Sequence, residues 1–251
     1  MFKKLVPLDK KKHAKLKLKS VDGFSFASKL NYSLLGGSEV AEASKSFPIV
    51  FPEKSEKEMP MLPMALLSLA KDENCFVEAG GKWTADYIPT HIKRYPFIFS
   101  AIPEKKDEFV MMLDMDAPQL NEKEGVALFN NKGEAEEIVT RAKKLLTTFQ
   151  ADIRKTQQIL SLLEEKNVLV SKQFNVTRGK NKTTLNGFRV VDTKKLAELD
   201  DETLAKWVRN GLMGIVYYHL NSLSNFKKVA AAQRNNNGVG NNNNGVGVKL
   251  N

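Results

Sequence analysis

The sequence is poor in cysteine. Cys75 is the only one, so no intrachain disulfide can form and the fold needs no oxidising compartment. It lies in Asn74-Cys75-Phe76-Val77 and reads as a small buried hydrophobe rather than a nucleophile. Long apolar runs are also missing. The longest, such as Met61 to Ala70, fall well short of the ~20 residues that span a bilayer. The opening Met1-Phe2-Lys3-Lys4 is basic, but the apolar run behind it breaks at Pro7 and Asp9. A secretory signal needs roughly 7–15 apolar residues there. The expectation is a cytoplasmic protein with no signal peptide or transmembrane segment; surface association by leaderless export is the alternative. Metal-ligand spacing is absent, because His13, His91 and His219 are far apart and no second cysteine helps. Gly36-Gly37-Ser38 and Gly80-Gly81-Lys82 lack the spacing of a phosphate loop, and no nucleophile elbow occurs. No catalytic centre, metal or cofactor is expected.

What the chain has is an ordinary core composition and an excess of positive charge. Its 251 residues are 42% apolar and 27% charged, enough for one large domain or two small ones. Lys and Arg number 39 against 29 Asp and Glu, a net charge of +10. That excess favours anionic partners such as nucleic acid, membrane surfaces or acidic polymers. The first nineteen residues hold eight lysines. Lys15-Leu16-Lys17-Leu18-Lys19 alternates as a strand with one cationic face. It reads either as a phosphate or lipid-headgroup patch or as a strand edge blunted by lysines. No arginine or aromatic residue interleaves with these lysines, as a nucleic-acid site would want.

Periodicity divides the rest. Short strands and turns are expected over 24–52, with Ser46 to Pro52 as an edge or terminal strand bracketed by prolines. Glu53 to Glu58 reads as a loop, and 61–70 fits either a short buried helix or a strand. Phe76 to Trp83 reads as strand, tight turn, strand. Phe97 to Ile102 and Phe109 to Leu113 are strand candidates. From residue 134 to about Lys166 the period is helical, with Ala135, Ile138, Ala142, Leu145 and Phe149 on one stripe. A hairpin follows: Val168 to Thr177, a turn at 178–181, then Lys182 to Val191. One last helix is expected from Asp200 or Asp201, as cap, to Lys227-Lys228. Its buried stripe would be Leu204, Val208, Gly211, Leu212, Ile215 and Tyr218. The repeated Asn-Asn-Asn-Gly-Val-Gly of the last seventeen residues offers little apolar surface to offset ordering. The expected class is α+β: a mainly antiparallel β N-terminal half, then helices enclosing a β-hairpin. A single domain would cover 1–234, with a disordered Asn/Gly-rich tail over 235–251.

The densest unusual stretch is Trp83 to Phe97. It holds four aromatics, two prolines, His91, Lys93, Arg94 and Asp86. Prolines stiffen it. Its rings can form a wall while Lys93 and Arg94 meet an anion; equally, it can be an aromatic minicore with Arg94 paired to a carboxylate. The candidate ligand-binding residues are Trp83, Asp86, Tyr87, His91, Lys93, Arg94 and Tyr95. An enzyme reading would use Asp86, His91 and Arg94, or the pair Asp114 and Asp116 alternating on a strand end. His219, among tyrosines, reads as a core residue.

Phe47-Pro48-Ile49-Val50-Phe51, Asn74 to Val77 with Gly81-Lys82-Trp83, Tyr87-Ile88-Pro89 through Arg94-Tyr95-Pro96-Phe97, and Ala127-Leu128-Phe129 with Gly133 form one set of motifs. Phe188 to Asp192 and His219 to Leu223 extend it. In these stretches, over roughly residues 5–225, the chain resembles the SapC family of bacterial proteins, named for its link to surface-layer loci. The tail lies outside that pattern. The resemblance carries over no catalytic residues. It implies a non-enzymatic binding or accessory protein of surface-layer or cell-envelope function, with a surface-layer or envelope protein as partner. A binder of nucleic acid or anionic surfaces through the Lys-rich N-terminus is the further alternative.

Overall fold

The long hairpin and the wholly apolar, fully buried Ile49–Pro52 run join the two halves of the chain into one sheet. The computed structural model describes residues 1–20, 23–54, 61–103, 105, 108–178, 181–236 and 247–250. The strands are β1 (Leu5–Pro7), β2 (Lys17–Leu18), β3 (Tyr32–Leu34), β4 (Ile49–Pro52), β5 (Met64–Leu66), β6 (Phe97–Ala101), β7 (Phe109–Asp114), β8 (Leu120–Asn121), β9 (Val126–Ala127), β10 (Leu169–Arg178), β11 (Asn181–Val191) and β12 (Gly247–Leu250). The helices are α1 (Val40–Ala43), α2 (Thr90–Lys93), α3 (Glu137–Glu165), α4 (Thr193–Ala197), α5 (Asp201–Arg209), α6 (Leu212–Ser222) and α7 (Phe226–Asn236). The class is α+β, with a β-rich N-terminal half and helices in the C-terminal half.

Three antiparallel sheets result, in the orders β1-β7-β6, β8-β2-β9 and β12-β10-β11-β4-β5-β3. The hairpin β10–β11 is therefore more than an insert between helices; β11 pairs β4 through Phe188–Pro52 and Arg189–Phe51. Two expectations are corrected. The Ser46–Pro52 run is an interior strand, tolerated because Pro48 precedes β4 and Pro52 ends it. Lys17-Leu18 is the central strand of its sheet rather than an edge, since β8 and β9 pair with both of its sides.

The helical periodicity from 134 becomes α3, and Phe149 is buried as expected, but the stripe before it is turned by one residue. Val139, Leu146, Phe149, Leu160 and Leu163 are buried, and Ile138, Ala142 and Leu145 only half-buried. α3 touches both apolar clusters. Val139 and Leu146 join Phe97, Leu113, Leu128 and Phe129, while Leu160 and Leu163 join the larger cluster under the six-stranded sheet.

The single last helix is also corrected. Asp200 does cap it, accepting from the Thr203 N–H at 2.7 Å. But α5 ends at Arg209, and Gly211 takes φ +85°, a left-handed geometry that stops a helix. The turn re-aims the next stripe, so Val208, Gly211 and Tyr218, expected inside, are exposed. Of the expected tail, Asn235 and Asn236 end α7 and Gly247–Leu250 pairs antiparallel with β10. Residues 237–246 and 251 lie outside the described residues.

Candidate functional site

The stiff segment begins at Trp83, whose ring sits edge-on to Phe24 at 5.7 Å and near Phe47 and Phe76 at 6.3 Å. Its indole N–H donates to the Tyr87 carbonyl at 3.0 Å. Tyr87 is turned inward onto a buried carboxylate that sequence reasoning did not single out. Glu39 Oε1 accepts from the Tyr87 hydroxyl at 2.6 Å and from the Thr90 N–H at 2.7 Å. Its Oε2 accepts from the Gly36 N–H at 3.0 Å. Burial, joined by the bond to Glu39, pushes the Tyr87 hydroxyl well above its ordinary range. Lys93 is exposed and holds its ammonium 4.9 Å from the centre of the Tyr87 ring.

The short helix α2 then divides the segment. His91 Nδ1 lies 3.5 Å from the Ser33 hydroxyl. Burial and the nearby Arg94 hold its pKa down at about 3, so the ring is neutral near pH 7. The Arg94 guanidinium carbon lies 5.7 Å from the centre of the Phe2 ring and 5.5 Å from that of Phe149. The carboxylate partner of the minicore alternative is not found among the described residues: Arg94 Nε is buried with no hydrogen bond. Tyr95 stacks on Phe26 at 4.3 Å and donates to Asp114 Oδ2 at 3.3 Å. The Tyr95–Pro96 bond is cis.

Asp114 and Asp116 do not act as a pair. β7 ends at Asp114, which turns inward and accepts from the Lys3, Lys4 and Asp116 N–H groups as well as from Tyr95. Burial pushes its carboxyl up, and these donors more than offset it, leaving the pKa below the ordinary value. Asp116 and Asp86 are exposed. The segment is thus half core: Trp83, Tyr87 and Tyr95 face inward, Asp86 and Lys93 outward, and His91 and Arg94 lie between. Among the described residues, no group of three or more His, Cys, Asp or Glu is placed to hold a metal ion, and no helix is long and apolar enough to cross a membrane.

Beside Glu39, a shallow groove of about 200 Å³ and a continuation of about 80 Å³ run between the Gly36–Glu39 turn and α3. They share Ser38 and Asp152. Asp152 Oδ2 accepts from the Ser38 hydroxyl at 2.6 Å, and the Gly37 N–H donates to Thr156 Oγ1 at 2.7 Å. The Gly36-Gly37 pair is what allows this approach. A Cβ on Gly36 would fall on the Asp152 carboxylate, and one on Gly37 would lie 2.9 Å from Thr156 Oγ1. Gly36→Ala is expected to cost about 2 kcal/mol through this overlap. In an Asp152→Ala background the cost should drop below about 1 kcal/mol, read as coupling in a double-mutant cycle by urea unfolding. Additive losses would show that the two groups do not meet.

Exposed lysines sit elsewhere. Lys10, Lys11 and Lys12 project from a turn held by Asp9, whose Oδ1 accepts from the Lys11 and Lys12 N–H groups at 2.8 Å. His219 is fully buried: its Nδ1 lies 2.7 Å from the Ile49 carbonyl, and Nε2 accepts from the Val191 N–H at 3.1 Å.

Comparison with curated proteins and with solved structures finds no match. The SapC family model, by contrast, matches residues 8–229, from the turn after β1 to α7. That span contains every described strand but β1 and β12, the Glu39 cluster and the whole aromatic–proline segment, and on it the chain belongs to the SapC family.

Proposed function

We propose that the chain is a binding or accessory protein of surface-layer or envelope function, and that it binds through the outer face of α6. One observation carries the reading. The helix sequence Leu-Met-Gly-Ile-Val-Tyr-Tyr-His-Leu-Asn-Ser contains no Asp, Glu, Lys or Arg. A helix apolar on all sides is normally buried on all sides. Here Leu212, Met213, Ile215, Val216 and His219 face the core, while Tyr217 and Tyr218 remain 63% and 46% exposed. Val208, at the end of α5, adds a further exposed apolar side chain. A Cβ added at Gly214 would meet nothing within 4 Å, so a partner can approach the helix backbone one turn before the tyrosines. Tyrosine and small residues are what protein interfaces favour at such places. The link to the surface layer rests on the family's name.

The test is affinity capture from the native host with the full chain and with Tyr217→Arg, whose side chain is exposed and should not disturb folding. A surface-layer or envelope protein is expected with the wild type, and at least roughly tenfold less of it with the variant. Recovery of no such protein, or equal recovery by both, would overturn the proposal.

A further inference from the structure

Among the described residues, Arg189 is buried and Arg94 half-buried, and their surroundings differ in one respect. Arg189 is buried and fully partnered. Its Nε donates to the Pro52 carbonyl at 2.8 Å, and its two terminal nitrogens meet both oxygens of Glu164. This is the usual arrangement, because a buried guanidinium without a counter-charge is unfavourable. Arg94 is half-buried and has no hydrogen-bond partner among the described residues. Its guanidinium carbon lies over the rings of Phe2 and Phe149, and Nε is buried with no hydrogen-bond partner among the described residues. Its terminal nitrogens make no hydrogen bond among the described residues and are not sealed from solvent. Burial is the one cause that lowers its pKa, to about 10, with no carboxylate opposing it. The nearby acids are committed elsewhere: Glu39 to Tyr87, Thr90 and Gly36, Asp114 to Tyr95 and three backbone groups, Asp152 to Ser38.

We propose that Arg94, bracketed by Phe2 and Phe149, is the recognition group of a carboxylate-binding site. The site is separate from the α6 face and stands whether or not that face binds a partner. Neither ring can accept a conventional hydrogen bond from the guanidinium, whose terminal N–H fork stays available and matches the planar, bidentate geometry of a carboxylate. His91, beside Arg94, is held neutral by burial, and Lys93 is turned over the Tyr87 ring. The N-terminal ammonium also acts on His91, so selectivity against phosphate rests on the planar fork of the guanidinium rather than on charge. The carboxylate can belong to a small organic acid or to an Asp or Glu side chain of an acidic peptide.

The experiment titrates the ¹⁵N-labelled full chain at pH 7 and constant ionic strength, following the Arg94 Nε–H and neighbouring amide resonances. The probes are sodium propionate, the peptide acetyl-Ala-Asp-Ala-amide, and inorganic phosphate. Saturable shifts with one or both carboxylates are expected, with phosphate roughly tenfold weaker or worse. Propionate saturating more tightly than the peptide assigns a small acid; the reverse assigns an acidic peptide. Arg94→Lys keeps the charge but loses the fork, and should weaken binding by roughly tenfold. Phe149→Leu opens one side of the bracket and should weaken it several-fold, about threefold or more. The proposal is overturned if neither carboxylate saturates, if phosphate binds as well, or if a folded Arg94→Lys chain binds unchanged. The wild-type titration decides it even if both variants fail to fold.

Discussion

Replacing His219 with alanine is expected to remove about 4 kcal/mol of stability, measured by urea unfolding at pH 7. The imidazole stands where the β4–β11 ladder stops. With Nε2 accepting from Val191 N–H, Nδ1 carries the proton and donates to the Ile49 carbonyl. The neighbouring Ser222 hydroxyl accepts from Ile49 N–H at 2.9 Å, so α6 satisfies both backbone groups of Ile49. Alanine would orphan one buried donor and one buried acceptor, each worth about 1–3 kcal/mol, and would leave a void against Phe51, whose ring centre lies 4.8 Å away. The same residue sets an acid response. Burial holds the folded-state pKa of His219 down at about 4 against the ordinary 6.5. Below pH 6.5 the unfolded chain takes up a proton that the folded chain refuses. Stability is therefore complete above that value and falls towards pH 4, by about 3 kcal/mol at roughly 1.4 kcal/mol per unit. His91, with its pKa held at about 3, acts in the same direction. His219→Gln should flatten the profile between pH 6.5 and 4. A variant as acid-sensitive as the wild type would sink this account, as would an alanine loss under about 1 kcal/mol.

Glu39→Ala is the second large effect, with an expected loss of about 3 kcal/mol. It strands three donors at once: the Tyr87 hydroxyl and the N–H groups of Thr90 and Gly36. Each orphan is worth about 1–3 kcal/mol. The total is set at the lower end because Thr90 borders the groove, where water can replace the carboxylate. Glu39→Gln keeps one acceptor oxygen but turns an amide NH₂ towards a donor, so about half the loss should remain. Spectrophotometric titration gives an independent reading. With Glu39 gone, the Tyr87 hydroxyl should ionise at lower pH, since the carboxylate helps to hold it up. An unchanged tyrosine titration with full stability would show that Glu39 is not the hub of the segment.

Local signals were the legible part of this fold. The α3 period, the long hairpin, the β6–β7 pair and the Asp200 cap all follow from residues close in sequence. What escaped depended on distant partners. Ile138-Val139 and Leu145-Leu146 each offer two adjacent apolar residues, and only packing against Phe97, Leu113 and Phe129 selects the second of each pair. The interior position of β4 required a hairpin more than a hundred residues later, which no local pattern announces. Gly211 alone could have been a tolerated helical glycine; its left-handed φ is visible only in the structure.

The candidate site divides in the same way. Trp83 to Phe97 stood out by composition, and Arg94 within it. Its bracket comes from Phe2 and Phe149, far away on either side. Glu39 gave no warning, since a carboxylate at a hub and one in water look alike in sequence; Glu42, three residues on, is half-exposed and pairs with Lys45. The Gly36-Gly37 pair was the available signal, because adjacent glycines often mark a close backbone approach.

The reach of α3 has a consequence for how the molecule holds together. At 29 residues it is about 43 Å long, and it is anchored by Val139 and Leu146 at one end and by Leu160 and Leu163 at the other. A rod embedded in two separate apolar masses behaves as a strut. Neither mass can melt while the other keeps the rod in place without exposing half of an amphipathic helix. Loss of either end therefore loads the other, and the two clusters share one cooperative fate although no sheet connects them.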